Sequence, residues 1–211
     1  MYIAIEGVIG VGKTTLARLL QPSFDAELLC EVFEENPFLS DFYSDRRRYA
    51  FQTQIFFLLS RYHQQRKGIQ EALQKKSCII SDYTFLKDQL FAEVNLEGDE
   101  LDMYFKVHEA LAEKITLPDL IVYLRADTRV LMQRIAQRDR PYERMMDVEY
   151  IDILNQTYET HFGNSLGKNI LVLNTDDLDY VRSPEHLEYI DQRIRQAMKL
   201  TPFQESLPIE L

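Results

Sequence analysis

The stretch Tyr2-Ile3-Ala4-Ile5-Glu6-Gly7-Val8-Ile9-Gly10-Val11-Gly12-Lys13-Thr14 decides the fold. Its opening residues form a near-continuous apolar run, the pattern of a strand covered on both faces. From Gly7 onward it fits G-x-x-x-x-G-K-[ST], and a helical pattern over Gly12–Gln21 follows. Glycines in such a turn let successive N–H groups point inward at a helix N-terminus, which makes a cradle for phosphate oxygens. Lys13 is then expected to reach the outer phosphates and the Thr14 hydroxyl to ligate Mg²⁺, with Thr15 completing the nucleotide-binding set.

Four more apolar runs lie downstream: Glu27–Val32, Ser77–Ser81, Asp119–Leu124 and Asn169–Leu173. Helical patterns separate them, at Arg46–Lys67 with a continuation over Gly68–Lys76, Phe85–Val94, Asp99–Ile115, Thr128–Arg138, Asp147–Phe162 and Pro184–Leu200. Strand alternating with helix predicts an α/β fold, a five-stranded parallel sheet of the P-loop NTPase type with helices on both faces. No repeat, linker or composition break interrupts it. One domain over residues 1–200 and a short tail over 201–211 is the expected organisation.

Composition narrows the classes. The 24 Lys+Arg against 34 Asp+Glu give a formal charge of −10, which disfavours nucleic acid polymers and anionic membranes as partners. No apolar run approaches the ~18 residues of a membrane span, and Met1 leads directly into a strand. Cys30 and Cys78 both sit in apolar runs and read as buried thiols. A soluble chain of a reducing, cytoplasmic compartment is expected.

Ligands of open α/β sheets bind beyond the carboxyl ends of the strands. Read there, the sequence offers Glu31, Glu34 and Glu35 after the second strand and Asp82 after the third. Arg125 and Asp127 follow the fourth strand, and Asn174, Asp176 and Asp177 the fifth. Asp82 is placed to accept a hydroxyl proton or order a metal's water, and Glu31 is a second such carboxylate. Thr128–Arg144 carries Arg129, Arg134, Arg138, Arg140 and Arg144 against only Asp139 and Glu143. Arg134 and Arg138 share a helical face, where like charges repel unless an anion relieves them. This segment reads as an Arg-rich lid that clamps a transferring phosphoryl group. Gln54 shares its helical face with Ala50, Phe51, Phe57 and Leu58, with Arg61 further along. Its amide suits the edge of a nucleobase, and Phe51, Phe57 and Tyr49 are candidate stacking faces.

These residues resemble the deoxyribonucleoside kinase family, particularly its bacterial deoxyadenosine/deoxyguanosine/deoxycytidine kinase-like members. The resemblance runs from EGVIGVGKTTLARLL through EVFEENPFLSDFY, RRYAFQTQIFFLLSRY, SDYTFLKDQLFA, LPDLIVYLRAD and RIAQRDRPYE to VLNTDDLDYVRSPEHLEYI. It implies transfer of the ATP γ-phosphoryl group, with Mg²⁺, to the 5′-hydroxyl of a small-molecule deoxynucleoside by a homodimer. It places Glu31 near that hydroxyl, Tyr43 and Glu143 at the sugar 3′-hydroxyl, Gln54 with Arg61 at the base, and Arg134, Arg138 and Arg140 in the lid. Asp179 and Tyr180 fall near the adenine.

One departure stands out. The family carries acid-Arg-Ser or acid-Arg-Thr after the third strand, whereas this chain has Asp82-Tyr83-Thr84. Lys87 is the cation that would restore the lost charge, and Asp88 is a candidate for base recognition. Two other readings stay open here, a nucleoside monophosphate kinase of the thymidylate kinase type and a catalytically weak ATP-binding protein. The first needs an arginine where Tyr83 stands; the second rests on the altered motif.

Overall fold

Every residue of the first strand is buried, so the sheet must be covered on both faces. The computed structural model describes residues 1–32, 35–163 and 169–201. Of the residues singled out above, Glu34 and the tail from Pro202 lie outside them. The elements run β1 (Tyr2–Glu6), α1 (Lys13–Phe24), β2 (Ala26–Leu29), α2 (Leu39–Ser44), α3 (Arg46–Lys75), β3 (Cys78–Ser81), α4 (Leu86–Asn95) and α5 (Gly98–Ala112). Then follow β4 (Leu120–Arg125), α6 (Thr128–Arg138), a 3-10 turn (Pro141–Glu143), α7 (Val148–Phe162), β5 (Ile170–Asn174) and α8 (Pro184–Ala197). The sheet order is β2-β3-β1-β4-β5 with all pairs parallel.

Alternation along β1 divides the core. Ile3 and Ile5 join Leu16, Leu20, Val122 and Ile190 in the main cluster, while Tyr2 and Ala4 pack with Leu29, Ile69, Ile79 and Tyr83. β1 sits at the centre of the sheet, so the loop that follows it emerges between the ends of β3 and β4.

Two sequence readings are revised, at the second strand and at Cys30, and the continuation of the long helix past Gly68 is seen directly. The second strand ends at Leu29, not Val32, because its last register partner is Ser81 at the end of β3. Beyond that point the Glu31 N–H bonds the Asp82 Oδ1 (2.8 Å) in place of a ladder partner. The helix from Arg46 continues unbroken through Gly68, where an added Cβ would lie 2.7 Å from Leu29 Cδ1. Glycine there admits the close approach of α3 to β2. Cys78 is buried as expected, but Cys30 is only half-buried, since it lies past the end of its strand.

The glycine loop is fixed by sterics. Gly7 has φ +147, and a Cβ there would stand 2.6 Å from the Leu124 carbonyl oxygen and 2.9 Å from Val11 Cγ1. Gly12 (φ +103) is the N-cap of α1, with no side chain closing the helix end. The first-turn amides of α1 therefore remain available to an anion. Gly7→Ala is expected to destabilise the fold by about 1–3 kcal/mol from its backbone conformation alone. Urea unfolding checks this; an unchanged midpoint would show that the loop relaxes at no cost.

Candidate active site

Two clefts open on the glycine loop. The outer, about 640 Å³, is lined by Gly10, Val11, Gly12, Thr15, Arg134, Gln137 and Arg138 and by the Asp176–Arg182 segment, which includes Asp179 and Tyr180. The inner, about 110 Å³, is lined by Ile9, Gly10, Lys13, Thr14, Glu31, Tyr43, Gln54, Phe57, Arg61, Asp82, Lys87, Arg138, Arg140 and Glu143 among others. Gly10 and Arg138 border both. Val8 and Val11 are buried in the core, so what they offer the loop is backbone.

The loop is braced from several sides. Lys13 Nζ donates to the Gly7 (2.6 Å) and Val8 (3.1 Å) carbonyls. Tyr180 donates its hydroxyl proton to the Val11 carbonyl (3.1 Å), and Arg134 reaches the same oxygen (3.3 Å) and the Thr175 carbonyl (2.6 Å). Asp82 Oδ2 accepts from the Thr14 hydroxyl while Oδ1 takes the Glu31 amide. Glu6, wholly buried, accepts from Gly7 N (3.2 Å), from Thr84 N (2.6 Å) and Oγ1 (2.8 Å), and from the Tyr158 hydroxyl (3.3 Å).

Across the inner cleft runs an ion chain. Glu31 Oε1 accepts from Arg61 Nε (2.8 Å) and a second guanidinium nitrogen, and Glu31 Oε2 accepts from Lys87 Nζ (2.5 Å). The remaining arm of Arg61 pairs with Asp88, which is fully buried. Asp88 lies in the first turn of α4 and Arg61 on α3, so the helix packing brings them together. On the lid side Arg138 grips Glu143 with paired bonds (3.0 and 2.7 Å), and Arg140 lies 3.7 Å from the same carboxylate. Tyr43 stacks on Tyr142, with ring centroids 6.0 Å apart.

Some expected members fall elsewhere. Arg125 pairs with Glu159 on α7 at the surface, because alternation turns its side chain off the cleft. Asp127 caps α6 and so serves the backbone, while Asp176 accepts the Asp127 amide at the edge of the outer cleft. Glu35 is exposed. Arg129 is a first-turn residue of α6, and Arg144 pairs with Asp139 in solvent. Phe57 lines the inner cleft, but Tyr49 and Phe51 do not; Phe42, Tyr43, Phe91 and Tyr142 supply its other rings. Phe91 had a readable signal, one helical turn beyond Lys87.

Among the described residues, Gln54 Oε1 and Asp88 Oδ2 are buried without a hydrogen-bond partner. Buried acceptors left open are costly and point to a ligand that donates to them.

Against this geometry stand the comparisons. The deoxynucleoside kinase family model matches residues 3–199. This chain belongs to the deoxynucleoside kinase family. A deoxyguanosine kinase of Bacillus subtilis (strain 168) is 33% identical over 201 residues, covering 93% of this chain and 97% of that one. A deoxyadenosine kinase of Dictyostelium discoideum is 32% identical over 203 residues, 94% of this chain and 80% of that one. The structure of a deoxyadenosine kinase from M. mycoides with bound dCTP superposes with a TM-score of 0.78 at 28% identity, over 93% of this chain and all of that one.

Electrostatics in this kinase follow from burial and pairing. Burial alone would raise the Glu31 pKa, but Arg61 and Lys87 outweigh it and hold the carboxyl well below the usual range. Burial drives Asp88 upward despite Arg61. Burial would lower Arg61, yet Asp88 and Glu31 hold it fully charged. Replacing Arg61 by Met should therefore destabilise the kinase by about 3–5 kcal/mol, since it strands the fully buried Asp88 and leaves Glu31 with Lys87 alone. Chemical denaturation measures the loss; a change under about 1 kcal/mol would mean that the acids find other partners.

Burial, then the nearby Lys87, lowers the Lys13 pKa to about 8 against the opposing pull of Glu6, Glu31 and Asp82. The charged ammonium is the form that binds phosphate, so affinity is lost as pH rises through that value. ATP binding should weaken about tenfold between pH 7.5 and pH 9, measured by calorimetry. A flat profile would remove Lys13 from the phosphate site.

Proposed function

We propose that this chain, acting as one kinase domain over residues 1–200, transfers the γ-phosphoryl group of ATP to the 5′-hydroxyl of a deoxyribonucleoside. The carrying observation is that two clefts of different character share Gly10 and Arg138 at the glycine loop. One is wide, about 640 Å³, and suits a nucleotide; the other is narrow and ringed, with the open Gln54 acceptor suited to a base. A cytoplasmic homodimer using Mg²⁺ is the accompanying reading.

Loop amides and Lys13 would hold the triphosphate tail, with Asp179 and Tyr180 at the adenine end. The hard oxygens of Thr14 and Asp82 already meet at the loop, which fits Mg²⁺. Among the described residues no group of three or more His, Cys, Asp or Glu could hold a metal, so phosphate oxygens would complete the shell. When bound, Mg²⁺ supplies neutralisation of phosphate charge.

Both acids line the inner cleft, but Asp82 bonds the Thr14 hydroxyl at the phosphate loop, whereas the Glu31 carboxylate stands among Arg61 and Lys87 of the cleft itself. Glu31 is therefore assigned the 5′-hydroxyl proton and Asp82 the metal side. Gln54, with Arg61 and Asp88 behind it, reads the base between Phe57 and Phe91. Tyr43 and Glu143 take the sugar 3′-hydroxyl. Once Glu143 turns to the sugar, Arg138 and Arg140 can serve the transferring group.

A thymidylate-kinase-type acceptor is disfavoured, because Tyr83 is buried in the second core cluster and offers no charge to a monophosphate. A coupled assay with each deoxynucleoside, and with dTMP, tests the reading; turnover of dTMP alone would replace it. Glu31→Gln should lower kcat by about 10²–10⁴ with ATP binding retained. Asp82→Asn should instead raise the Mg²⁺ concentration needed for half-maximal rate. Reversed phenotypes would exchange the two roles.

A further inference from the structure

Lys87 has no place in the mechanism so far, yet its side chain is only 8% exposed and ends inside the inner cleft. Among the described residues its ammonium donates one hydrogen bond, to Glu31 Oε2 (2.5 Å), and rests 5.5 Å from the Phe91 ring centroid. Two of its three protons remain for other acceptors. Lys87 lines that cleft together with Glu31 on the proton-accepting side and Lys13 and Thr14 of the phosphate loop.

The other cations of the cleft have their own partners, and none but Lys87 lies against the proton-accepting carboxylate with protons to spare. Arg61 is fixed between Glu31 and Asp88, with 5% of its side chain exposed. Lys13 belongs to the loop, and Arg138 and Arg140 to Glu143. The residue after Asp82 adds none, for the ring of Tyr83 packs against Tyr2, Leu29, Ile69 and Ile79 and its hydroxyl donates to Gln64 Oε1 (2.6 Å). The chain turns that position toward the far side of the sheet and sends Lys87, in the first turn of α4, toward the cleft instead.

We infer that Lys87 is a catalytic residue that passes from Glu31 to the transferring phosphoryl group as Glu31 takes the 5′-hydroxyl proton. This rests on the kinase reading above. In the step, a bond forms between O5′ and the γ-phosphorus, and the bond from that phosphorus to the β,γ-bridging oxygen breaks with its electron pair left on ADP. The proton from O5′ goes to Glu31. Neutralised, Glu31 no longer holds the ammonium by charge, while the phosphoryl oxygens beside it carry the negative charge that does. A flexible four-carbon stem suits a cation that exchanges partners within one pocket, where a guanidinium held at both ends, as in Arg61, does not.

The experiment is a cycle of Lys87→Met, Glu31→Gln and the double variant, read as single-turnover rate with saturating Mg·ATP and deoxynucleoside. Lys87→Met should lower the rate about 100-fold, the order found for removing one charge-stabilising donor, with substrate affinities changed far less. Lys87→Arg should recover most of it. The double variant decides between roles, and because it also removes the buried charge that Lys87 helps to balance it remains informative if Lys87→Met alone folds poorly. Contact with the phosphoryl group makes it at least about tenfold slower than Glu31→Gln, since the cation still matters when position 31 carries no charge. A double variant as fast as Glu31→Gln, or a loss confined to nucleoside affinity, overturns the inference and leaves Lys87 as an ion-pair partner only. A wild-type chain that turns over no deoxynucleoside sinks the kinase reading itself, a separate and prior result.

Discussion

The site depends on one bridging carboxylate. Asp82 stands at the end of β3 and binds the Thr14 hydroxyl at the start of α1 with one oxygen and the Glu31 amide beyond β2 with the other. Those bonds tie three chain segments that meet nowhere else in the ladder, since β2 has already ended at Leu29. Glu6 does the same one strand over, joining Gly7, Thr84 and Tyr158. Strand order puts β1 beside β3, so the two acids brace the glycine loop from adjacent positions. The loop's shape is thus set by sterics at its glycines and by acids below it, before any ligand arrives.

What the sequence made legible follows from what local pattern encodes. The glycine loop was readable because a motif of fixed spacing fixes backbone geometry, and the five strands were readable because burial on both faces removes polar alternation. Gln54 and Arg61 could be placed together because one helix carries both. The Arg61–Asp88 pair could not, since it joins α3 to α4 and no periodicity links two helices. Arg125 misled for a related reason: a strand end presents a residue to one face or the other, and register decides which. The same holds for Phe57, which faces the cleft, against Tyr49 and Phe51, which share its helix but do not line the cleft. Helix α2, only Leu39–Ser44, is too short for a periodic signal. The departure at Tyr83 was visible as a missing charge, but its consequence depends on where the ring goes, and only packing against Leu29 and Ile69 decides that.

The charged groups of the inner cleft satisfy one another in the absence of substrate. Glu31 holds Arg61 and Lys87; Glu143 holds Arg138 and Arg140. A cleft built this way avoids buried unpaired charge, which would otherwise cost several kcal/mol per group. On the roles proposed above, substrates would bind by partner exchange: a sugar hydroxyl at Glu143 would loosen the lid arginines, and a phosphoryl group would offer them a better anion. Nucleoside binding and lid charge would then be coupled through a single carboxylate.

That coupling explains a tension in the acid chemistry. A carboxyl clamped by two cations is a weak proton acceptor, and Glu31 in the ligand-free arrangement is such a group. Proton transfer needs its basicity to rise at the moment the nucleophile attacks. Arg61 cannot supply the change, because Asp88 holds its other arm in a fully buried pair. A cation on a flexible stem can. On the proposal above, as negative charge accumulates on the phosphoryl oxygens the balance of attraction on such a cation would shift away from Glu31, and the carboxylate would become more basic as the hydroxyl becomes more acidic. Both side chains line one cavity of about 110 Å³, where charges stand close together and interact strongly. In that reading Arg61, fixed by Asp88, keeps the acid oriented, and Lys87 lets its affinity for the proton follow the reaction.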